Sequence, residues 1–354
     1  MYDLAEGCFS LGCRCFEEGE LHLALKHFNK ALELGYEEYE VIRNRSQVYA
    51  AMKLTGKAIR DAYHCLRLLP DDSHTEAVIQ QIRALKAELE IPIVKTTETE
   101  LTNNKDVLPY FLIVGTQKGG TTSLYKYLLQ HPNVHPAVTK EIHYFDELLH
   151  FGLDWYLTHF PESLPHGDIT GEATPYYLFH PHVATRIKAA LPAVKIIVLL
   201  RNPIERAFSH YQMMVRRGLE KLSFSEALHA EQDRIATEYA RMERDNTYFS
   251  PTCTQYSYLK RGLYSEQLER WFQQFPREQI LVIRSEQLLQ DTAASYKQVL
   301  QFLQLPDCDL EQYAMHHEGG YKDEIDSDTR SWLEQYFEKD QRRLALQLDG
   351  ECYK

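Results

Sequence analysis

Phe111-Leu-Ile-Val-Gly-Thr-Gln-Lys-Gly-Gly-Thr-Thr-Ser-Leu124 is the stretch that decides the fold. Phe111 to Val114 form an apolar run with strand character. A loop bearing Gly115, Gly119 and Gly120 follows, with Lys118 inside it, and Thr121, Thr122 and Ser123 open a helix. Strand, glycine-rich loop and helix N-terminus together make an anion site. Glycines let the backbone wrap a phosphate, successive N–H groups turn inward, and the helix dipole favours negative charge. The plainer alternative is a glycine-rich turn that only tightens a strand-to-helix junction.

The ATP-binding pattern G-x-x-x-x-G-K-[ST] is only half kept. Gly115 and Gly120 have its spacing, but Thr121 stands where the lysine belongs, and the lysine has moved to 118. A P-loop nucleotide kinase would therefore lack its main cation. A lysine inside the loop is placed instead to face the bridging oxygen of a group leaving a 5'-phosphate.

Beyond the loop, strands and helices alternate. The spacing predicts a helix over 121–130, a strand before Gly171, a helix over 181–191 and another from near Ile204. Val194–Leu200 is a near-continuous apolar run and Gln279–Arg284 is a further one, the mark of strands buried on both faces. The expected fold is α/β: a P-loop-like parallel sheet flanked by helices. Ligands bind such sheets at the carboxyl ends of the strands, where the glycine loop and Arg201 fall. Arg201, an always-charged planar donor, can hold a phosphate bidentately. Ser209, two turns into the next helix, can donate to the same phosphate. Arg206 falls on another side of that helix, where a surface salt bridge is as good a reading as a ligand. Thr139–Asp146 gathers several ionisable groups in an aromatic setting. If extended, it projects Glu141 and His143 from one face, where carboxylate and imidazole can share the removal of a proton. A solvated Glu beside a core His is the competing reading.

Residues 1–91 read as helical and repeat themselves. Gly19-x4-Ala24-x3-Phe28-x2-Ala31-Leu32 is echoed by Lys53-x4-Ala58-x3-Ala62-x2-Cys65-Leu66, and Ala24 and Ala58 lie 34 residues apart. That is the period of tetratricopeptide (TPR) repeats. Close helix crossings require Gly12, Ala24, Ser46 and Ala58 to be small, with Leu11, Phe28 and Tyr49 filling the grooves. Two helix pairs and a capping helix over 73–90 are expected. Such stacks offer a concave face, so a protein partner or self-association is expected of this domain. Residues 92–109 read as a linker, and 110–354 as the second domain.

Composition bounds the rest. The 354 residues are 44% hydrophobic and 25% charged, with formal net charge −12, which argues against a generic nucleic-acid binder. The N-terminus has no secretory pattern and no run reaches membrane-span length. The seven cysteines are scattered and form no C-x-x-C pair, so no metal site and a cytoplasmic location are expected.

Taken together, the motifs resemble those of sulfotransferases that use 3'-phosphoadenosine 5'-phosphosulfate (PAPS), in particular the heparan sulfate branch and its bacterial relatives. Gly115–Ser123 resembles the family's 5'-phosphosulfate loop, Leu200–Ser209 its 3'-phosphate site, and Lys140–Asp146 the stretch with its catalytic glutamate. Gly262-x-Tyr264-x3-Leu268-x2-Trp271 and Gly319-Gly-Tyr-x8-Arg330 are weaker echoes. The resemblance covers about 110–345 and implies roles residue by residue. Lys118 stabilises the departing nucleotide PAP. The N–H groups of Gly119, Gly120, Thr121 and Thr122, with the hydroxyls of the two threonines and the adjacent Ser123, hold the 5'-phosphate. Arg201 and Ser209 hold the 3'-phosphate. Glu141 is the base on the acceptor and His143 assists it. Gly319 and Gly320 close over the nucleotide, with Lys322 in reserve for donors lost there. The acceptor is a hydroxyl or amine on a glycan, a lipid or polyketide, or another compound. Ala173, where the heparan branch often has lysine, Glu318-Gly-Gly in place of Lys-Gly-Arg, and the lack of an evident cysteine pair are departures that bear on the acceptor. Two other readings compete: the kinase, and a TPR scaffold whose sulfotransferase domain is degenerate.

Overall fold

The computed structural model describes residues 2–36, 38–54, 57–58, 61–62, 107–157, 159–161, 163–310 and 325–348. The chain divides into two compact units, residues 1–105 and 106–354.

In the first unit, α1 (Tyr2–Glu17), α2 (Leu21–Glu33) and α3 (Glu38–Ala51) follow one another in an antiparallel run of short connections. Their shared core holds Cys15, Ala24, Phe28, Ala31, Val41 and Val48. The small residues have a visible reason. A Cβ on Gly12 would lie 2.7 Å from the Phe28 ring. Ala24 and Ala58 are fully buried, and Ser46 donates to the Ala58 carbonyl at 2.8 Å. Leu11 differs from expectation: it is 42% exposed. Gly12 faces Phe28, and the preceding residue lies about 100° around the helix, away from the crossing. Residues 63–106, with the expected cap over 73–90, lie outside the described residues.

The second unit is built on five strands: β1 (Phe111–Gly115), β2 (Val134–Pro136), β3 (Ile169–Ala173), β4 (Lys195–Leu200) and β5 (Ile280–Arg284). Their order is β2-β3-β1-β4-β5 and every pairing is parallel. The flanking helices are α4 (Thr121–Leu128), α5 (Leu153–Leu157), α6 (Val183–Ala190), α7 (Pro203–Arg216), α8 (Phe224–Arg244), α9 (Pro251–Tyr256), α10 (Tyr264–Gln274), α11 (Ser285–Gln290), α12 (Thr292–Leu303) and α13 (Ser327–Gln347). Strand β2 was not expected, because three residues ending in proline carry too little pattern to read.

One core packs Phe111, Ile113, Ile197, Leu199 and Ile283 of the sheet against Leu124 and Leu128 of α4 and Val299 and Leu303 of α12. Another packs Ile204 and Ala207 of α7 against Phe224 and Leu228 of α8 and Leu333 and Phe337 of α13. Each buried Ile, Leu or Phe stabilises by about 1.5–3 kcal/mol. The centre of the sheet, apolar on both faces, is therefore the most firmly held part of the unit. Gly171 pairs with Phe111 and must be glycine there, since a Cβ would sit 2.3 Å from the Phe111 carbonyl. Helix α7 starts cleanly: Asn202 accepts from the N–H groups of Ile204 and Glu205, and Pro203 occupies the first turn. Helix α13 is tied back to α10, where Asp340 accepts from the N–H groups of Tyr264 and Ser265 at 3.0 and 3.1 Å.

Candidate active site

The carboxyl ends of β1, β3, β4 and β5 deliver the site. After β1 the chain makes the glycine loop, pinned to β4 by the Thr116 N–H donating to the Leu199 carbonyl at 2.6 Å. Lys118 has a left-handed backbone (φ 68°), as does Gly120 (φ 90°). A non-glycine residue in that region costs of order 1–3 kcal/mol, and such strain gathers at functional sites. Gly119 is forced by space: an added Cβ would lie 2.9 Å from the Thr116 carbonyl and 3.0 Å from that of Leu199. The Gly119 N–H already donates to the Thr116 carbonyl at 2.9 Å, so the outward donors are those from Gly120 onward. Helix α4 begins with no side-chain cap hydrogen bond and no acidic residue in its first turn, so no carboxylate there opposes an anion. Thr121 and Ser123 are buried there and Thr122 is half-buried. Gly119→Ala is expected to cost about 1–3 kcal/mol of stability by overpacking and to weaken PAP binding at least roughly tenfold. Urea unfolding and calorimetry check the two effects.

Three side chains brace the loop. Arg201, just beyond β4, donates from Nη1 to the Lys118 carbonyl at 3.1 Å, and its own carbonyl accepts from Tyr264 Oη at 2.8 Å. Ser285, just beyond β5, donates to the Gly119 carbonyl at 2.6 Å. Arg261, fully buried, donates to the Gln117 side chain and to the carbonyls of Cys253 and Thr254. Ser209 lies buried within α7, on the helix that starts at the Arg201 end of β4. Arg206 is neither a surface salt bridge nor exposed. It is fully buried and donates to the Tyr258 carbonyl, because its face of α7 turns inward toward the 258–261 segment.

The segment with Glu141 is tied to β3 through the Ile142 N–H, which donates to Glu172 at 3.4 Å. It is not extended as expected: Glu141 and His143 both take left-handed backbone angles, φ 62° and 58°. The two side chains still meet. His143 Nε2 lies 3.8 Å from the Glu141 carboxylate, and His143 Nδ1 lies 2.8 Å from Asp146. Lys140 forms an ion pair with the other Glu141 oxygen. Burial pushes the Glu141 carboxyl up, but the nearby His143 imidazole and the Lys140 charge outweigh it and bring it down to about 2. Burial pushes His143 down, but Asp146 and Glu141 overcome it and hold the imidazole well above its ordinary value. Asp146, His143 and Glu141 thus stand in a row, and the Glu141 side chain remains 42% exposed.

Sequence reading missed Asp146, Arg261 and Ser285. Asp146 stood within the segment already singled out, at i+3 from His143, a spacing that brings side chains together in a tight turn. Arg261 directly precedes the weak Gly262-x-Tyr264 echo. Ser285 carried no signal of its own. Gly319, Gly320 and Lys322 lie outside the described residues.

A sulfotransferase domain matches residues 108–321, which takes in the loop, the Glu141 segment and Arg201. The chain belongs to the sulfotransferase family. This sulfotransferase is 31% identical to a crystal structure of a sulfotransferase from Alicyclobacillus acidocaldarius, with TM-score 0.58, covering 69% of this chain and 96% of that one. Among curated relatives, it is 29% identical over 304 residues to the membrane-associated sulfotransferase kil1 of Dictyostelium discoideum, covering 67% of this chain and 64% of that protein. It is 34% identical over 198 residues to mouse heparan sulfate glucosamine 3-O-sulfotransferase 3B1, covering 56% of this chain and 46% of that protein. The chain thus spans about half to two thirds of the length of these curated relatives. Among the described residues of this sulfotransferase, no helix is long and apolar enough to cross a membrane.

Proposed function

We propose that this sulfotransferase moves the sulfuryl group of PAPS to an acceptor hydroxyl, with Glu141 as base and Lys118 stabilising the departing PAP. One observation carries the reading: Arg201 is bonded to the backbone of Lys118, so a cation from the end of β4 sits against the loop built for a 5'-phosphate. A ligand with phosphates at both 5' and 3' positions spans that pair. ATP has no second phosphate site to fill and no lysine at 121 to meet it.

The chemistry asks little covalent work of the protein. By analogy with phosphoryl transfer, the transition state is loose and charge builds on the leaving oxygen. Lys118 and the N–H groups opening α4 counter that charge. The acceptor hydroxyl turns acidic only as its oxygen bonds to sulfur, so a carboxylate as weak as Glu141 suffices to take its proton. His143, held charged by Asp146, keeps that carboxylate ionised and oriented. No step calls for a metal.

Arg201→Ala is expected to weaken PAP binding by about 2–3 kcal/mol, roughly 30- to 160-fold, through loss of charge-assisted hydrogen bonds. Adenosine 5'-phosphosulfate, which lacks the 3'-phosphate, should lose far less. Equal losses in calorimetry would mean that Arg201 does not read the 3'-phosphate. Magnesium-dependent ATP turnover would favour a kinase, and absence of PAP binding would favour a scaffold.

A glycan hydroxyl is the first acceptor class to test, given the names of the heparan sulfate relatives. Lipid, polyketide and protein tyrosine hydroxyls are the other arms of a screen with labelled PAPS, and an amine arm separates N- from O-transfer. The N-terminal helices are read as TPR-like, serving a protein partner or self-association; light scattering of the full chain separates these two. A reducing, cytoplasmic setting is the reading supported by free Cys8, Cys13, Cys15, Cys253 and Cys308.

A further inference from the structure

Glu172 is the penultimate residue of β3, and no step of the proposed chemistry uses it directly, yet it is completely buried. A buried carboxyl is costly unless every lone pair is occupied. Here four donors converge on it. Oε2 accepts from Thr174 Oγ1 at 2.5 Å and from the Ile142 N–H at 3.4 Å. Oε1 accepts from Tyr177 Oη at 3.0 Å and from Tyr156 Oη at 3.2 Å. Burial pushes its pKa up, and the hydrogen bonds oppose that rise.

The position of the Ile142 N–H gives the cluster its meaning. Ile142 lies between Glu141 and His143, the two residues forced into left-handed backbone angles. Such angles persist in non-glycine residues only where surrounding contacts over-determine them. A second link runs through the same carboxyl. Tyr177 Oη, which donates to Glu172, accepts from the Phe145 N–H at 3.4 Å. The segment is therefore held at 142 and at 145, on either side of His143. Tyr144, Phe145 and Tyr156 pack their rings 4.8–5.0 Å apart around the cluster and keep water out. Being fully enclosed, Glu172 cannot itself reach an acceptor.

We propose that Glu172 is the positioning residue of the base segment: by holding the Ile142 N–H, and the Phe145 N–H through Tyr177, it fixes Glu141 against His143 in the geometry that accepts the proton. This rests on Glu141 being the base. The role differs from packing, which an apolar residue would fill as well.

The test compares the full-length wild type with Thr174→Val, Glu172→Gln and Glu141→Gln. Three quantities are read: the His143 titration midpoint by NMR of 13C-labelled histidine, PAP affinity by calorimetry, and PAP release from labelled PAPS. Water and de-O-sulfated heparan sulfate serve as acceptors. Thr174→Val keeps shape and itself removes no charge, and reading turnover beside the His143 midpoint separates a displaced Glu141 from a mere change of charge at Glu172. The expected fall in the midpoint is about half a unit or more. Turnover should drop roughly tenfold, as expected for a base moved by a fraction of an ångström, with PAP affinity kept within about twofold. Glu172→Gln should show the same pattern more strongly; if it does not fold, Thr174→Val decides alone. A Thr174→Val enzyme with wild-type midpoint and turnover, beside an inactive Glu141→Gln, would overturn the positioning role and leave the base standing. A fully active Glu141→Gln would remove the base and the proposal with it.

Discussion

Glu141→Gln is expected to lower kcat by about 10²–10⁴ while leaving PAP affinity nearly unchanged. The substitution keeps the shape of the side chain and removes its capacity to take a proton. In the proposed reading the nucleotide is gripped elsewhere, by the loop after β1 and by Arg201, so its affinity should not follow. The pH profile gives an independent reading. With the folded carboxyl brought down to about 2 by His143 and Lys140, Glu141 is ionised throughout neutral and mildly acid pH. The kcat/KM profile should therefore show no acid limb from this residue between about pH 5 and 7. The sign for stability follows from the same shift. A carboxyl lowered on folding contributes stability above its ordinary value of 4.5, which is lost as pH falls toward about 2. His143 works in the opposite sense: its raised value contributes stability below about 6.5, lost as pH rises through the folded value. A Glu141→Gln enzyme with full turnover would show that the base lies elsewhere.

Lys118→Ala should lower kcat by about 10²–10³, the usual loss when one preorganised group at a developing negative charge is removed. The effect should fall mainly on kcat, because charge on the bridging oxygen is greatest in the transition state. PAP affinity should fall by a smaller factor. Lys118→Arg is expected to recover little, since a planar fork does not replace a compact ammonium at a single oxygen. Single-turnover measurement with labelled PAPS separates the two contributions. A variant whose loss lay wholly in nucleotide affinity would move Lys118 from transition-state stabilisation to plain binding.

The loop and the Glu141 segment place different demands on the backbone, and the sequence announced only one of them. Glycine at 115, 119 and 120 can be read as freedom to bend, and at 119 the structure gives the reason in the carbonyls of Thr116 and Leu199. The left-handed turns at Glu141 and His143 leave no such mark, because glutamate does not favour them and a histidine, though enriched there, takes them in only a small share of cases. Extended geometry was the natural expectation for an aromatic-rich stretch. The structure overrides it with contacts from β3 that are distant in sequence, above all Glu172 to the Ile142 N–H. Arg206 shows the same limit. Its place on another side of the helix left a surface salt bridge as good a reading as a ligand role, but it is buried and donates to the carbonyl of Tyr258, some fifty residues on.

The sequence alone determined the parallel α/β sheet, the glycine loop at the end of β1, Arg201 at the end of β4, and the ionisable stretch around Glu141 as the candidate base. These rest on local signals: apolar runs buried on both faces, glycine spacing, and charges placed at strand ends. Only the tertiary structure decided which charges meet. Arg201 touches the Lys118 carbonyl, Arg261 holds Gln117, Ser285 holds Gly119, Asp146 meets His143, and Glu172 accepts from the Ile142 N–H. The physical reason is distance along the chain. A strand or a helix start is fixed by neighbours a few residues away, whereas a buried charge finds its partner only when separate strand ends are brought to one edge of the sheet.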